Sequence, residues 1–202
     1  MILEKLVLGS YFVNCYILGN EHSKEAVIID PGAEFKKIDS VIKKKQLLPT
    51  AIINTHGHLD HIQEDDSFKV PVYIHSQDRD CFTDPKKNLS AFFGAPFIVN
   101  SKAQLLEDGQ VITLAGFKFE VIHTPGHTRG GICLKVDGLL FSGDTLFAGS
   151  VGRTDFPGAD AKILIESIKS KLLVIKDDLK VFPGHGQDTS LELERQTNCF
   201  LN

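Results

Sequence analysis

The chain of 202 residues carries 42% hydrophobic and 24% charged residues, values typical of a soluble globular protein. Its formal net charge is −4 and Lys and Arg form no dense block, so the sequence predicts no nucleic-acid partner. No low-complexity linker divides the sequence. We therefore expect one domain over residues 1–202, with halves of roughly 1–110 and 111–202.

The sequence also predicts a cytoplasmic protein without a membrane partner. Residues 1–7 show no basic segment followed by an apolar one, and no apolar run approaches the length of a membrane span. The four cysteines are far apart and form no C-x-x-C pair, which excludes a disulfide-dense scaffold and a thiolate zinc site.

Strand-like apolar runs come first, over residues 3–8, 15–18 and 26–29. The last of them ends at Asp30-Pro31-Gly32, a turn-forming sequence. Apolar residues then recur at helical spacing over residues 34–46. Residues 51–53 form a short continuous apolar run, which predicts a buried strand.

The second half repeats this order of strands followed by a helix. Predicted strands cover residues 111–114, 117–122, 132–136, 139–141 and 181–182. Ala115-Gly116 and Asp137-Gly138 separate two pairs of them as hairpin turns. Helical spacing of apolar residues marks residues 161–174. Both halves together predict two packed sheets with helices outside.

The densest group of candidate metal ligands lies in Thr55-His56-Gly57-His58-Leu59-Asp60-His61. Residues two apart in extended backbone point to the same side, so His56 and His58 can hold one cation. Asp60 and His61 are adjacent and point in different directions, so they are better placed to hold a second cation nearby. Imidazole and carboxylate are ligands that zinc, iron or manganese accept. The alternative is a solvated loop of polar side chains.

Three further candidates directly follow predicted strands. They are His127 in Thr124-Pro125-Gly126-His127-Thr128, Asp144 in Ser142-Gly143-Asp144-Thr145, and His185 in Pro183-Gly184-His185-Gly186. Each segment alone is a weak signal, because an Asp beside Gly usually forms a turn and a His after Pro-Gly usually lies at the surface. Together they place ligand-type side chains at the ends of several strands, where sheet proteins assemble functional sites.

These segments, in this order, resemble the metallo-β-lactamase superfamily. They are most similar to its hydroxyacylglutathione hydrolase (glyoxalase II)-like branch, in a short, single-domain form. The resemblance covers nearly the whole chain. It implies an α+β fold, a four-layer αβ/βα sandwich of two mixed β-sheets with helices on the outer faces and the metals at one edge of the sheets.

The resemblance also implies a binuclear site with two divalent metal ions, zinc in the first place, with iron or manganese as alternatives. One ion would be held by His56, His58 and His127, the other by Asp60, His61 and His185, and both by Asp144. We expect Asp60 and Asp144 to serve catalysis as well as metal binding. His22, His75 and His123 are interpreted as non-ligands, with His123 a candidate hydrogen-bond partner of a ligand.

The resulting hypothesis is a metal-dependent hydrolase in which metal-bound hydroxide attacks a thioester or ester carbonyl. Metal binding lowers the pKa of water from about 15.7 to about 7. A thiolate leaving group, with a pKa near about 8.5, needs little acid assistance. The expected substrate is a small molecule, S-lactoylglutathione or a related acyl thioester, and the expected enzyme a glyoxalase II-like thioesterase.

Arg153 is the candidate substrate-binding residue. It matches a position that is Lys in the glutathione-thioester hydrolases, and its guanidinium could pair with a substrate carboxylate. The Tyr expected nearby is replaced by Asp155. The alternative is a structural Arg153 that pairs with Asp155 or Asp160.

Two other functions stay open. Persulfide dioxygenases share the fold and a similar Gly-Arg-Thr-Asp-Phe segment, and they bind one iron through residues that match His56, His127 and Asp144. A non-catalytic metal-binding module is less consistent with the sequence, because degenerate members lose ligands and this chain keeps them. A true β-lactamase is disfavoured, since Asp144 stands where the lactamases that the chain resembles carry Cys or Ser.

Overall fold

The first of two large β-sheets is built from the first half of the chain in a computed structural model that describes residues 1–201. Its strands are β1 (Ile2–Leu8), β2 (Val13–Gly19), β3 (Glu25–Ile29), β4 (Leu48–Ile53), β5 (Val72–His75) and β6 (Ala103–Leu106). They lie side by side in chain order. The pairs β1–β2 and β2–β3 are antiparallel, and the pairs from β3 to β6 are parallel.

The second sheet is built from the second half. The strands there are β7 (Val111–Leu114), β8 (Phe117–His123), β9 (Ile132–Val136), β10 (Leu139–Gly143), β11 (Leu146–Phe147), β12 (Ser150–Val151), β13 (Lys180–Pro183) and β14 (Thr189–Ser190). The sheet order is β14-β13-β10-β9-β8-β7, while β11 and β12 pair only with each other. Because β10 and β13 are parallel and the other pairs antiparallel, both large sheets are mixed, as predicted.

The two sheets pack face to face across a layer of buried apolar side chains. Successive residues of a strand point to opposite faces, so Tyr16 and Leu18 of β2 face this layer while Cys15 and Ile17 face away. The ring of Tyr16 lies 5.1 Å from that of Phe141 of the second sheet. Its hydroxyl donates a hydrogen bond to the Pro183 carbonyl oxygen at 2.6 Å, so the polar end of this buried residue is paired across the two sheets.

Helices cover the two outer faces. They are α1 (Phe35–Lys44), α2 (Leu59–Ile62), α3 (Ser90–Phe93), α4 (Ala161–Ser167) and α5 (Leu191–Thr197). Ile38 and Ile42 of α1 pack on the first sheet, and Leu164 of α4 packs on the second. The layers therefore run helix, sheet, sheet, helix, which confirms the predicted sandwich. Among residues 1–201 no helix combines the length and apolarity needed to cross a bilayer.

All the strands expected from the sequence are present, with ends shifted by a few residues at most. The predicted helix 161–174 is divided: α4 ends at Ser167, and Ile168–Leu172 forms a π-helical turn. An α-helix has about 3.6 residues per turn, so residues spaced four apart move gradually away from the buried side. The wider π turn brings Leu172 back to that side, where it packs with Leu164 and Ile168.

Replacing Phe119 by Ala tests the packing between the sheets. Phe119 is fully buried in the layer that joins them, so Phe119→Ala leaves a cavity and should lower the free energy of unfolding by about 3–5 kcal/mol. Urea unfolding followed by circular dichroism measures the change. Val111→Ala, at a position 59% exposed on an edge strand, is the control and should cost roughly 0.5 kcal/mol or less. Equal losses for the two variants would contradict the described core.

Candidate metal centre

The candidate ligands lie in loops at one edge of the two sheets. Residues 54–58 leave the end of β4 and lead into α2, which carries Asp60 and His61. His127, Asp144 and His185 follow β8, β10 and β13. These three strands run in the same direction, because β9 is antiparallel to both β8 and β10 and β13 is parallel to β10. Their carboxyl ends therefore bring the three loops to a common edge.

Three buried imidazoles form the first group of ligand atoms. The Nδ1 atom of His58 lies 3.1 Å from His56 Nε2 and 3.0 Å from His127 Nε2. All three nitrogens lie within 4.8 Å of one another. His127 Nδ1 lies 2.7 Å from the Arg153 carbonyl oxygen and donates to it, which leaves His127 Nε2 with a lone pair directed at the group. This arrangement suits a single cation.

A second group lies beside the first. Asp60 Oδ2 is 3.3 Å from His185 Nε2 and 3.9 Å from His61 Nε2. Asp144 stands between the groups, with Oδ2 3.5 Å from His127 Nε2 and 3.6 Å from His185 Nε2. Its Oδ1 is 3.6 Å from His61 Nε2. The structure thus brings together all the residues that the sequence predicted as metal ligands.

The donor set fits metal ions. His61 Nε2 and Asp144 Oδ1 are buried and have no hydrogen-bond partner among residues 1–201. Leaving such atoms unpaired is costly, and a cation between them would satisfy both. No Cys belongs to the groups that the described residues form, so the ligands are imidazole and carboxylate, which suit divalent zinc, iron or manganese.

Electrostatics prepares the first group for metal binding. Burial lowers the pKa of His56 and of His58 well below the usual range, and the neighbouring imidazoles lower both pKa values further. Both rings are therefore neutral at physiological pH. A neutral ring keeps a lone pair for a cation.

Carboxylates in and around the second group dominate its electrostatics. Burial acts to lower the pKa of His61, but the carboxylates of Asp30, Asp60 and Asp144 outweigh it and raise this pKa to about 10. Burial likewise acts to raise the pKa of Asp60, yet His61 and His185 hold it well below its usual range. The negative charge of these carboxylates thus favours a positive charge beside them, which a divalent cation would supply.

The Asp30 carboxylate lies behind the imidazole ring of His61. Asp30 Oδ2 lies 3.0 Å from His61 Nδ1, on the opposite side of the ring from the ligand atom Nε2. The carboxylate is itself held by Thr55, whose backbone N–H donates to Oδ1 at 2.8 Å and whose hydroxyl donates to Oδ2 at 2.7 Å. Carboxylates behind a ligating histidine set its tautomer and its direction.

Asp78 joins the loops of the two halves and was missed from the sequence. Its Oδ2 accepts hydrogen bonds from the Gly57 backbone N–H at 3.0 Å and from the Thr128 hydroxyl at 2.7 Å. Its Oδ1 accepts from the Gly130 N–H at 2.6 Å. One buried carboxylate thereby connects the His56–His58 segment to the His127 loop. No local signal marks this residue, because its partners are far away in the chain.

Two glycines permit the close packing of these loops. Gly143 has φ +48°, and a Cβ atom there would lie 2.4 Å from Thr55 Oγ1. A Cβ atom at Gly184 would lie 2.2 Å from Asp144 Oδ1. Side chains at either position would displace groups that support or form the centre.

A cleft of about 380 Å³ opens over both groups of ligands. We call it the aromatic cleft, because its walls include Tyr11, Phe93, Phe147 and Phe156. Arg153 also lines it, but its guanidinium pairs with Asp155, with Nε–Oδ1 at 2.9 Å and Nη2–Oδ2 at 2.7 Å. The substrate-binding role of Arg153 stays a prediction, and the structural pairing considered beside it is present.

The other histidines lie outside the ligand groups of the described chain. His22 is exposed. His75 and His123 stack on each other at 3.9 Å, and the His123 Nε2 atom lies 2.8 Å from the Arg129 carbonyl oxygen. The ring of His123 therefore supports the backbone two residues after His127 and makes no hydrogen bond to a candidate ligand within residues 1–201.

Known proteins with similar sequences and structures share this architecture. Residues 8–185 match the family model of the metallo-beta-lactamase superfamily. The hydroxyacylglutathione hydrolase GloC of Haemophilus influenzae is 36% identical over 210 residues, which cover 100% of this chain and 99% of that protein. The crystal structure of the B3 metallo-beta-lactamase BLEG-1 is 38% identical, with a TM-score of 0.93 and 100% of each chain covered.

The protein TTHA1623, solved in a di-iron-bound form, is 36% identical to this chain, with a TM-score of 0.86. The match covers 98% of this chain and 100% of that protein. The family model, the fold and the cluster of His and Asp side chains agree with one another. The chain belongs to the metallo-β-lactamase superfamily, as a hydrolase-like enzyme whose His/Asp cluster is suited to binding metal.

Proposed function

We propose that the protein is a binuclear metallohydrolase that hydrolyses a thioester or ester, with S-lactoylglutathione or a related acyl thioester as substrate. The observation that carries this proposal is the second ligand group. Asp60, His61 and His185 lie beside the three-imidazole group, and Asp144 faces both. The similarity to GloC and to the di-iron form of TTHA1623 supports it.

Each ligand group would hold one divalent cation, with Asp144 shared between them. Zinc accepts imidazole nitrogen and carboxylate oxygen and has no redox chemistry of its own, which suits hydrolysis, and iron and manganese accept the same atoms. When bound, such cations lower the pKa of a water molecule toward about 7 and polarise a carbonyl. Asp60 and Asp144 would serve as metal ligands and as the acidic residues nearest the reacting water.

The side chains of the site contribute charge and hold the candidate ligand loops in position. Asp60 and Asp144 offset only two of the four positive charges of two divalent cations, so the centre keeps a positive field for the developing negative charge of the substrate carbonyl oxygen. Asp30 and Asp78 hold the ligand loops in place. Because a thiolate leaves with a pKa near about 8.5, no side-chain acid is required at the sulfur atom.

A mono-iron persulfide dioxygenase is the second candidate. His56, His127 and Asp144 supply two imidazoles and one carboxylate, with His127 Nε2 and Asp144 Oδ2 3.5 Å apart. A set of two His and one carboxylate is typical of non-haem iron oxygenases. The two candidates differ in their dependence on the second ligand group, which the first requires and the second does not.

His185→Ala separates these functions. In a binuclear hydrolase it should reduce the metal content from about two to about one per chain and lower kcat/KM for S-lactoylglutathione by about 100-fold or more, since a direct ligand is lost. Elemental analysis and the hydrolysis assay measure both quantities. His22→Ala, which changes an exposed histidine, is the matched control and should behave as wild type.

The dioxygenase would be the better assignment if the protein contains one iron per chain and consumes oxygen with glutathione persulfide, and if the His185→Ala variant still does so. A chromogenic cephalosporin belongs in the same substrate panel because BLEG-1 is a B3 metallo-beta-lactamase. Hydrolysis of the cephalosporin without hydrolysis of any thioester or ester would contradict the proposed substrate class.

Asp78→Asn tests the support of the first ligand group. The amide keeps the shape of the carboxylate but offers a single acceptor oxygen where the carboxylate accepts three hydrogen bonds with two oxygens. We expect metal affinity at the first group to fall roughly 10- to 100-fold. Competition with a chromogenic chelator measures it. Asp80→Asn, two residues away on the surface, is the control, and equal affinities for both variants would show that Asp78 does not support the site.

A further inference from the structure

A second cleft, of about 320 Å³, adjoins the aromatic cleft. We call it the polar cleft, because its walls include Gln77, Asp78, Asp80, Lys87, Thr128 and Arg129. His58 and His127 line both clefts, so the two meet at the first ligand group. A substrate with its carbonyl at the metal centre can therefore extend in two directions that differ in chemistry.

Arg129 is the cation of the polar cleft that is available for a ligand. Lys87 Nζ pairs with Asp80 Oδ2 at 2.5 Å, whereas the guanidinium of Arg129 is exposed and makes no ion pair with any of residues 1–201. In the aromatic cleft the guanidinium of Arg153 is paired with Asp155. An anionic group that reaches the metal centre thus meets an unpaired guanidinium on the polar side and a neutralised one on the aromatic side.

The backbone on both sides of Arg129 is held in place. Its carbonyl oxygen lies 2.8 Å from His123 Nε2. The preceding Thr128 and the following Gly130 both donate hydrogen bonds to the buried Asp78 carboxylate. The guanidinium therefore extends from a fixed point two residues after His127, which reduces the entropy lost when it binds an anion.

The aromatic cleft offers the opposite chemistry. The ring of Phe93 lies 6.3 Å from that of Tyr11 and 6.3 Å from that of Phe156. The ring of Phe156 in turn lies 5.7 Å from that of His58, so aromatic surface extends from the rim to the ligands. Tyr11 and Phe93 are 47% and 53% exposed, so they have apolar area to cover with a substrate.

We infer that, among the acyl thioesters of the proposed substrate class, the substrate combines an apolar acyl group with a carboxylate-bearing thiol, and that it lies across both clefts. The acyl group packs on Phe93 and Phe156, and the carboxylate of the thiol pairs with Arg129. This inference rests on the proposed hydrolase function and adds the orientation of the substrate. In the reaction water adds to the carbonyl carbon and the C–S bond breaks with its electron pair on sulfur. The products are a carboxylate, a thiol and one proton.

The test uses metal-loaded full-length protein and two thioesters with the same phenylacetyl group. One carries 3-mercaptopropionate and the other the neutral 3-mercaptopropionamide. Arg129→Gln should raise KM for the anionic thioester about 10-fold and leave KM for the neutral one and kcat for both within about 2-fold, because only the charge-assisted pair is lost. Arg79→Gln, at an exposed arginine outside both clefts, is the matched control and should change neither substrate.

Phe93→Ala tests the other end of the substrate. It should lower kcat/KM for the phenylacetyl thioester about 10-fold and leave the corresponding acetyl thioester nearly unchanged, since the small acyl group does not reach the ring. The pair of variants therefore reports separately on the acyl side and on the thiol side.

Different results identify which statement is wrong. Suppose that wild-type protein hydrolyses both thioesters. If Arg129→Gln then changes KM equally for the anionic and neutral forms, or if Arg153→Gln rather than Arg129→Gln raises KM for the anionic form, the inferred orientation is overturned. The hydrolase proposal stands in either case. If Phe93→Ala affects acetyl and phenylacetyl thioesters alike, the acyl assignment is overturned. If wild type hydrolyses no thioester or ester, the proposed function fails and the inference falls with it.

Discussion

The docking of one β-sheet on the other sets the distances inside the candidate metal centre. The ligand atoms come from both sheets: His58 follows β4 of the first, and His127 follows β8 of the second, with their nitrogens 3.0 Å apart. A slip of an ångström or two between the sheets would separate these atoms. Packed apolar layers resist such slips, because every displacement opens voids. The buried side chains around Tyr16 and Phe119 thus hold the two sets of candidate ligand loops at fixed positions relative to each other.

Much of the fold was predictable because the strands of its core have strong local patterns. In β8 Phe117, Phe119 and Val121 alternate with charged residues, and the hairpin turn before it contains Gly116. The strands β5 and β6 were not predicted, since each has four residues and mixes polar with apolar ones. The helix over 161–174 was predicted without a break, because apolar spacing reports which side chains are buried and does not report a change in backbone hydrogen bonding at Ile168.

The candidate site shows the same division. Its candidate ligands were identifiable because four of them lie within residues 56–61 and the others follow strands in short Gly-containing turns. Asp78 was not identifiable, since its partner Thr128 is 50 residues away and the link exists only in the folded chain. The aromatic cleft combines Tyr11, Phe93 and Phe156 from three separate segments of the chain, so local sequence patterns could not reveal it. For Arg153 the sequence left two possible ion-pair partners, Asp155 and Asp160, and the folded structure shows the pair with Asp155.

The division of the ligands between the halves also determines when the centre can form during protein synthesis. When residues 1–110 have been synthesised, the chain contains His56, His58, Asp60 and His61, but neither ligand group is complete. The first group is complete only after His127 and the second only after His185. Until then His56, His58 and His61 are present without the remaining members of their ligand groups. An ion that requires a complete ligand group could therefore bind only after the second half of the chain has packed against the first, which would place metal binding at the last stage of folding.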